Sequence, residues 1–205
     1  YERAIADGIK SSYIAAKRYD GTGFTRATLR GSEYFGANRT DEMITYAKSA
    51  LSSPKSFAYL YVNNLDHAGH NDGVGSDKWM HALAFVEDLV KQLISALPSG
   101  TILFVTADHG MVNVEEKFVL GKENDLLKDV TLIGGEPRAR HLYIRDGSLG
   151  DVKSRYEAAF ADRVDIYTKE SISALIGGDV LRDSHERLGD VIVVPKGELI
   201  LIDPS

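Results

Sequence analysis

The chain has 205 residues, enough to bury a sizeable core in one large domain or two small ones. Hydrophobic residues make up 43% and charged residues 26%, a balance that argues against a chain dominated by disorder. A formal net charge of -6 argues against a nucleic-acid polymer as the main partner, and the lack of cysteine rules out disulfide frameworks and thiolate metal sites.

Any transition metal would have to be held by His and carboxylate side chains, which suits a hydrolytic Zn or Mn centre. No apolar run approaches the length needed to span a bilayer, so no membrane partner is expected. Tyr1-Glu2-Arg3-Ala4 lacks the build of a signal peptide and reads as the interior of a longer product. A cytoplasmic location is taken as the default.

Along the chain, Ala4 to Arg18 places Ile5, Ile9, Tyr13 and Ala16 at helical spacing, which predicts a first helix. Asp20-Gly21-Thr22-Gly23 then forms a turn; it resembles a phosphate loop only superficially, because no Lys-Ser/Thr follows. A capping signal at Thr40-Asp41-Glu42 starts a helix through Ile44, Ala47 and Leu51, stopped by Ser52-Ser53-Pro54.

Phe57-Ala58-Tyr59-Leu60-Tyr61-Val62 reads as a strand buried on both faces. A Gly-, Asp- and His-rich loop from Asn63 to Ser76 follows. Trp79, Leu83, Val86, Val90, Leu93 and Leu97 form one apolar stripe on a long helix capped near Ser76 or Asp77. Thr101-Ile102-Leu103-Phe104-Val105-Thr106 is a second buried-strand run, so strand, helix and strand predict a βαβ unit with parallel strands.

Further on, His141 to Ile144 and Val164 to Tyr167 read as strands, Val152 to Phe160 and Ser171 to Ile176 as helices. Val191 to Val194 and Leu199 to Ile202 flank Lys196-Gly197 as an antiparallel hairpin. With no repeat or low-complexity linker in view, one α/β domain is the simpler expectation.

In open α/β sheets ligands bind beyond the carboxyl ends of the strands. After the first central strand come Asp66, His67 and His70; after the second come Asp108, His109 and Gly110. Asp66 and His70 are four apart, so one turn can aim both at a single ion. Asp108 and His109 can share an ion if the backbone turns sharply, as Gly110 allows. Carboxylate oxygen and neutral imidazole are the usual non-thiolate zinc ligands.

The remaining candidates read as structural. His67 is expected to face solvent beside the ligands, His81 to lie on the helix surface, and His141 and His185 to be structural or solvated. Arg138 and Arg140 could meet an anion but read first as solvated loop residues, and Trp79 as core packing.

Asp66-x-x-Gly69-His70 with Gly73, followed by Thr106-Ala107-Asp108-His109-Gly110-Met111, resembles the type I phosphodiesterase/nucleotide pyrophosphatase family of the alkaline phosphatase superfamily. The similarity runs from Asp20-Gly21-Thr22-Gly23-Phe24-Thr25 through Trp79 and Gly135-Glu136-Pro137-Arg138 to Arg187-Leu188-Gly189-Asp190-Val191. The resemblance implies an alkaline-phosphatase-like α/β sandwich with a mainly parallel central sheet, incomplete in this chain. It implies two divalent metal ions, zinc by preference, with Asp66 and His70 in one site and Asp108 and His109 in the other.

It further implies hydrolysis of small phosphate esters, phosphoanhydrides or nucleotides in the intact protein, through a phospho-enzyme. The hydroxyl nucleophile and an Asp are expected before Tyr1. A further ligand His is expected beyond Ser205, because His141 and His185 are followed by Leu and Glu. No catalytic residue is therefore assigned within the chain, and weak or no metal binding, without turnover, is expected of it alone. Two alternatives stay open: another superfamily enzyme (sulfatase, phosphonate hydrolase or phosphoglycerate mutase-like), or a degenerate non-catalytic binding domain.

Overall fold

The computed structural model describes residues 1–176 and 182–204. They form a mixed α/β structure in two compact units, Tyr1–Met111 and Val112–Ser205. Among the described residues no helix is long and apolar enough to cross a membrane.

The first unit opens with a short helix α1 (Glu2–Ala6), then strand β1 (Lys10–Ala15). The single helix expected over Ala4 to Arg18 does not form. Gly8, at φ +77°, ends α1, and the Ser-Ser-Tyr-Ile-Ala run that follows buries residues on both sides of the strand. β1 is the central strand of its sheet, and ladder bonds on both edges outweigh a helical spacing of four apolar residues. Helix α2 (Gly23–Thr28) follows the Asp20–Gly23 turn, its first turn closed by the Thr25 N–H donating to Thr22 Oγ1.

β2 (Glu33–Gly36), α3 (Thr40–Ala50) and β3 (Ser56–Leu60) complete a parallel sheet of order β2-β1-β3. The capping signal before α3 resolves onto Glu42, whose Oε2 accepts from the Asn38 and Arg39 N–H groups at 2.9 and 3.2 Å. Ile14, Met43, Ala47, Leu89 and Leu93 form the core between sheet and helices, with Ala58 and Leu60 packed against it. Alternate residues carry an aromatic ladder in register across the strands. Tyr13 pairs with Tyr34 and Tyr59, and the Tyr13 and Tyr59 rings stack at 5.3 Å.

β3 is consequently not buried on both faces: Phe57 and Tyr59 are 44% and 41% exposed. Exposure, not polarity, alternates along this edge strand. The expected partner run, Thr101–Thr106, forms no ladder at all, and Ile102 and Phe104 are 77% and 84% exposed. That run still travels beside β3. Residues 56–59 share one cavity with 97–104, and residues 59–62 share the next with 103–106. The expected βαβ unit thus has its helix and its direction without its second set of strand bonds.

Between them lie α4 (Asn64–Asp72), inside the stretch expected to be loop, and α5 (Asp77–Ala96). Ser76 caps α5 by accepting from the Trp79 N–H at 3.2 Å, as its sequence suggests.

In the second unit, β4 (Glu116–Val119) precedes β5 (Val130–Glu136), β6 (Ala139–Ile144), α6 (Leu149–Phe160) and β7 (Val164–Thr168). Then come α7 (Lys169–Leu175), α8 (Arg182–Glu186), β8 (Val191–Pro195) and β9 (Leu199–Ile202). The order β5-β6-β8-β7 makes an antiparallel sheet, while β9 pairs with β4 in parallel. The hairpin expected between β8 and β9 is therefore absent. β8 already has β6 and β7 on its two edges, so no edge is left for β9, and Gly197 at φ +57° redirects the chain. Tyr156, Phe160, Leu142, Val191, Val193 and Leu201 fill the core beneath α6.

Candidate metal centre

Helix α4 starts just past the carboxyl end of β3, so its first turn stands at the sheet edge where α/β proteins place ligands. Asp66 and His70, four residues apart, fall on one face of α4. His70 Nε2 lies 3.2 Å from Asp66 Oδ1. The stretch after Thr101–Thr106 then brings His109 Nε2 to 3.7 Å from the same oxygen. The two imidazole rings meet edge-on with centroids 6.1 Å apart. One ligand atom from each of Asp66, His70 and His109 lies within 4.8 Å of the others.

Asp108 is placed differently. Its carboxylate is 83% exposed and reaches His109 Nε2 at 3.8 Å. The resemblance divides the four residues two and two; the geometry gathers His109 with Asp66 and His70 and leaves Asp108 at the margin.

Two features show that this cluster fits a cation. Asp66 Oδ1 is itself shielded from solvent and makes no hydrogen bond, although the Asp66 side chain as a whole is 44% exposed. A buried carboxylate oxygen without a donor is costly unless positive charge is supplied. His109 Nδ1 lies 2.8 Å from the Gly110 carbonyl, which can only accept, so that nitrogen carries the proton. In neutral imidazole the lone pair then sits on Nε2, the atom facing Asp66. A carbonyl that fixes the tautomer in this way is the usual support of a ligating histidine.

The surrounding wall is apolar and aromatic. Tyr61, Leu65, Val74, Trp79, Leu103 and Met111 line the cavity that holds Asp66, Asp108 and His109. Burial first, then the neighbouring Tyr19, Asp66 and Asp108, push the Tyr61 phenol above its ordinary range. Tyr61 therefore stays protonated as a hydrogen-bond donor. Sequence reading placed Tyr61 only within a buried strand; its position at the strand's carboxyl end was the available signal.

The other candidates are accounted for by local bonds or by exposure. His67 is exposed and its ring meets Asn71. His81 is exposed on α5. His141 Nδ1 accepts from the Gly189 N–H at 3.1 Å, and burial lowers its pKa. Arg138 and Arg140 are not solvated loop residues. Arg138 donates to the Gly197 and Leu199 carbonyls, and buried Arg140 to those of Leu201 and Gly135, tying β9 to the β5–β6 hairpin. Arg18, unremarked in the sequence, follows β1. It donates to Tyr19 Oη at 2.9 Å and Asn63 Oδ1 at 3.4 Å, just ahead of α4.

The model of the type I phosphodiesterase / nucleotide pyrophosphatase family matches residues 7–203. No curated protein matches the chain. Murine ectonucleotide pyrophosphatase / phosphodiesterase 5 superposes with a TM-score of 0.67 at 18% identity, over 98% of this chain and 54% of that one. An inactive form of the murine protein was solved in complex with AMP. Phosphonoacetate hydrolase from Sinorhizobium meliloti 1021, solved in complex with phosphonoformate, superposes with a TM-score of 0.68 at 15% identity, over 98% and 59%. The chain thus spans little more than half the length of these solved structures, and the likeness shows a shared fold.

Proposed function

Because this chain belongs to the type I phosphodiesterase / nucleotide pyrophosphatase family, we propose that it forms part of a metal-dependent phosphoryl hydrolase acting on small phosphate diesters or nucleotide anhydrides. Asp66, His70 and His109 would hold a divalent ion, zinc by the nature of the donors. Asp108, beside His109, is the residue from which a second site would be built. When bound, such ions supply Lewis-acid stabilisation of charge developing on the phosphoryl oxygens.

The chain's own residues do the rest. The Gly110 carbonyl holds His109 in the tautomer that presents Nε2. Tyr61, kept protonated, offers a neutral donor at the edge of the same cavity. The apolar wall excludes water from one side of the cluster, which strengthens each electrostatic contact there. Arg18, oriented by Tyr19 and Asn63, supplies a guanidinium suited to a phosphate oxygen. The nucleophile and further ligands would come from chain beyond these residues, so turnover is assigned to the intact protein.

The observation that carries this reading is the buried, unpartnered Asp66 Oδ1 with two imidazole nitrogens facing it. It is tested by titrating the chain with zinc, and by assaying the intact protein that contains it with a chromogenic phosphodiester. Saturable zinc binding lost in His109→Ala, with diester hydrolysis abolished by chelation, is expected. Zinc binding indifferent to His109→Ala would overturn it. Phosphonoacetate serves as the competing substrate, since the fold alone accommodates that chemistry too.

A further inference from the structure

The ligands of the proposed centre come from two stretches, α4 and the segment after Thr101–Thr106, and the second belongs to no helix or strand from Ala107 to Met111. Something other than regular structure must set the register in which His109 meets Asp66. Gly69 and Met111 mark the place. Gly69 stands on α4 between the two ligands, three residues after Asp66 and one before His70. Met111 follows His109 by two residues.

A methyl group built on Gly69 would overlap Met111 Sδ and lie 2.5 Å from its Cε, with Trp79 Cδ1 at 3.5 Å. The backbone does not require glycine here, because Gly69 is helical and has no positive φ. Inside a helix, glycine is less favourable than alanine. Space, not conformation, is what the residue provides. Into that space goes the far end of a polarizable, flexible side chain, and the Trp79 indole borders the same space.

We propose that Gly69 and Met111 are a matched pair of positioning residues. The Met111 thioether, seated where Gly69 lacks a side chain, sets the register that carries His109 to the Asp66–His70 face of α4. The pair deepens the metal-site reading given above and rests on it for its purpose. It also explains why the glycine of one motif and the methionine of the other occur together in this sequence.

The obstructed atoms are the end of a flexible side chain, so Gly69→Ala should expel the thioether without breaking the fold. The test compares the chain with Gly69→Ala, Met111→Ala and the double variant, each checked for folding by far-UV circular dichroism. One readout needs no metal: the NMR cross-relaxation between ring protons of His70 and His109. The other is zinc affinity by chelator competition.

Each single variant should weaken the ring–ring cross-peak and lower zinc affinity by about 10–100-fold, the range for residues that orient metal ligands. The double variant should be no worse than the poorer single, because both substitutions remove one contact. Additive losses, or a Gly69→Ala chain that keeps both the cross-peak and the affinity, would overturn the pairing. If Gly69→Ala fails to fold, Met111→Ala decides alone, since it adds no atoms; unchanged readouts there would also overturn it. A wild-type chain that shows the cross-peak, loses it in the variants and binds no zinc would sink the metal reading and leave the pairing standing.

Discussion

The two compact units treat the same residue types in opposite ways. In Val112–Ser205, polar side chains serve the backbone: His141 accepts the Gly189 N–H, and Arg138 and Arg140 between them satisfy four carbonyls. In Tyr1–Met111, Asp66 holds a buried oxygen that nothing donates to, while the His70 and His109 imidazole nitrogens approach it to 3.2 and 3.7 Å. The first pattern is what a stable core requires of its buried polar groups. The second is a local cost; among the described residues the Ser11, Ser12, Ser32 and Tyr156 hydroxyls and the Trp79 indole N–H carry it too, but Asp66 alone of these is a carboxylate, and two imidazole nitrogens face it. Residue type alone therefore does not separate a site from a scaffold. An unpartnered charge beside clustered ligand atoms does.

The largest effect is expected where packing is most complete. Phe160 is 2% exposed, meets Phe118 edge-on at 4.9 Å and lies beside Tyr156. Phe160→Ala should destabilise its unit by about 3–5 kcal/mol, the usual range for an aromatic truncated in a core. Urea unfolding followed by hydrogen exchange at β8 and α6 reads this directly. A change below about 1 kcal/mol would mean that the core relaxes into the vacancy and is less well packed than its burial implies.

At the site, the opposite signature is expected. Asp66→Asn removes the carboxylate on which the proposed centre turns. Zinc affinity should fall by more than about 100-fold, beyond the loss typical of residues one layer out. Stability of the metal-free chain should stay level or rise, because an uncompensated negative oxygen has been neutralised. Chelator competition and thermal melting in the absence of metal measure the two halves separately. A variant that melts lower and binds zinc as before would place Asp66 with the scaffold and erase the contrast between the units.

How much of this was legible in the sequence follows the same division. Asp66, His70, Asp108 and His109 could be proposed as ligands because the signal that points to them is local: residue type, spacing of four, and a position after a β-rich run. The N-cap Ser76, the helix ending near Leu51 and the α6 stretch were readable for the same reason. What failed was pairing. Lys10–Ala15 carries a passable helical spacing, and only two neighbouring strands make it a strand. Val191–Pro195 and Leu199–Ile202 look like a hairpin until β6 and β7 occupy both edges of the former. Thr101–Thr106 has strand composition and runs beside edge strand β3, yet, among the described residues, it forms no ladder. The Gly69–Met111 contact was invisible because two motif letters say nothing about which of them yields space to the other.

The smallest and most discriminating effect compares two carboxylates within the first unit. Glu42, unlike Asp66, is fully provided for. The Asn38 N–H, then the Lys17 side chain, with the Arg39 N–H, lower its pKa from about 4.5 to about 2. A carboxyl whose folded pKa is depressed favours the folded chain fully above its unfolded pKa. That contribution is lost as pH falls through the folded value. Glu42→Gln should therefore lower the melting temperature near neutrality, and the gap from wild type should shrink between about pH 4.5 and pH 2. Because Glu42 lies at the surface, the shift should be modest and smaller still in high salt. Melting curves across that window check the sign. A gap that stays constant with pH would show that the side chain acts by shape at the start of α3, and charge satisfaction would no longer distinguish the two carboxylates.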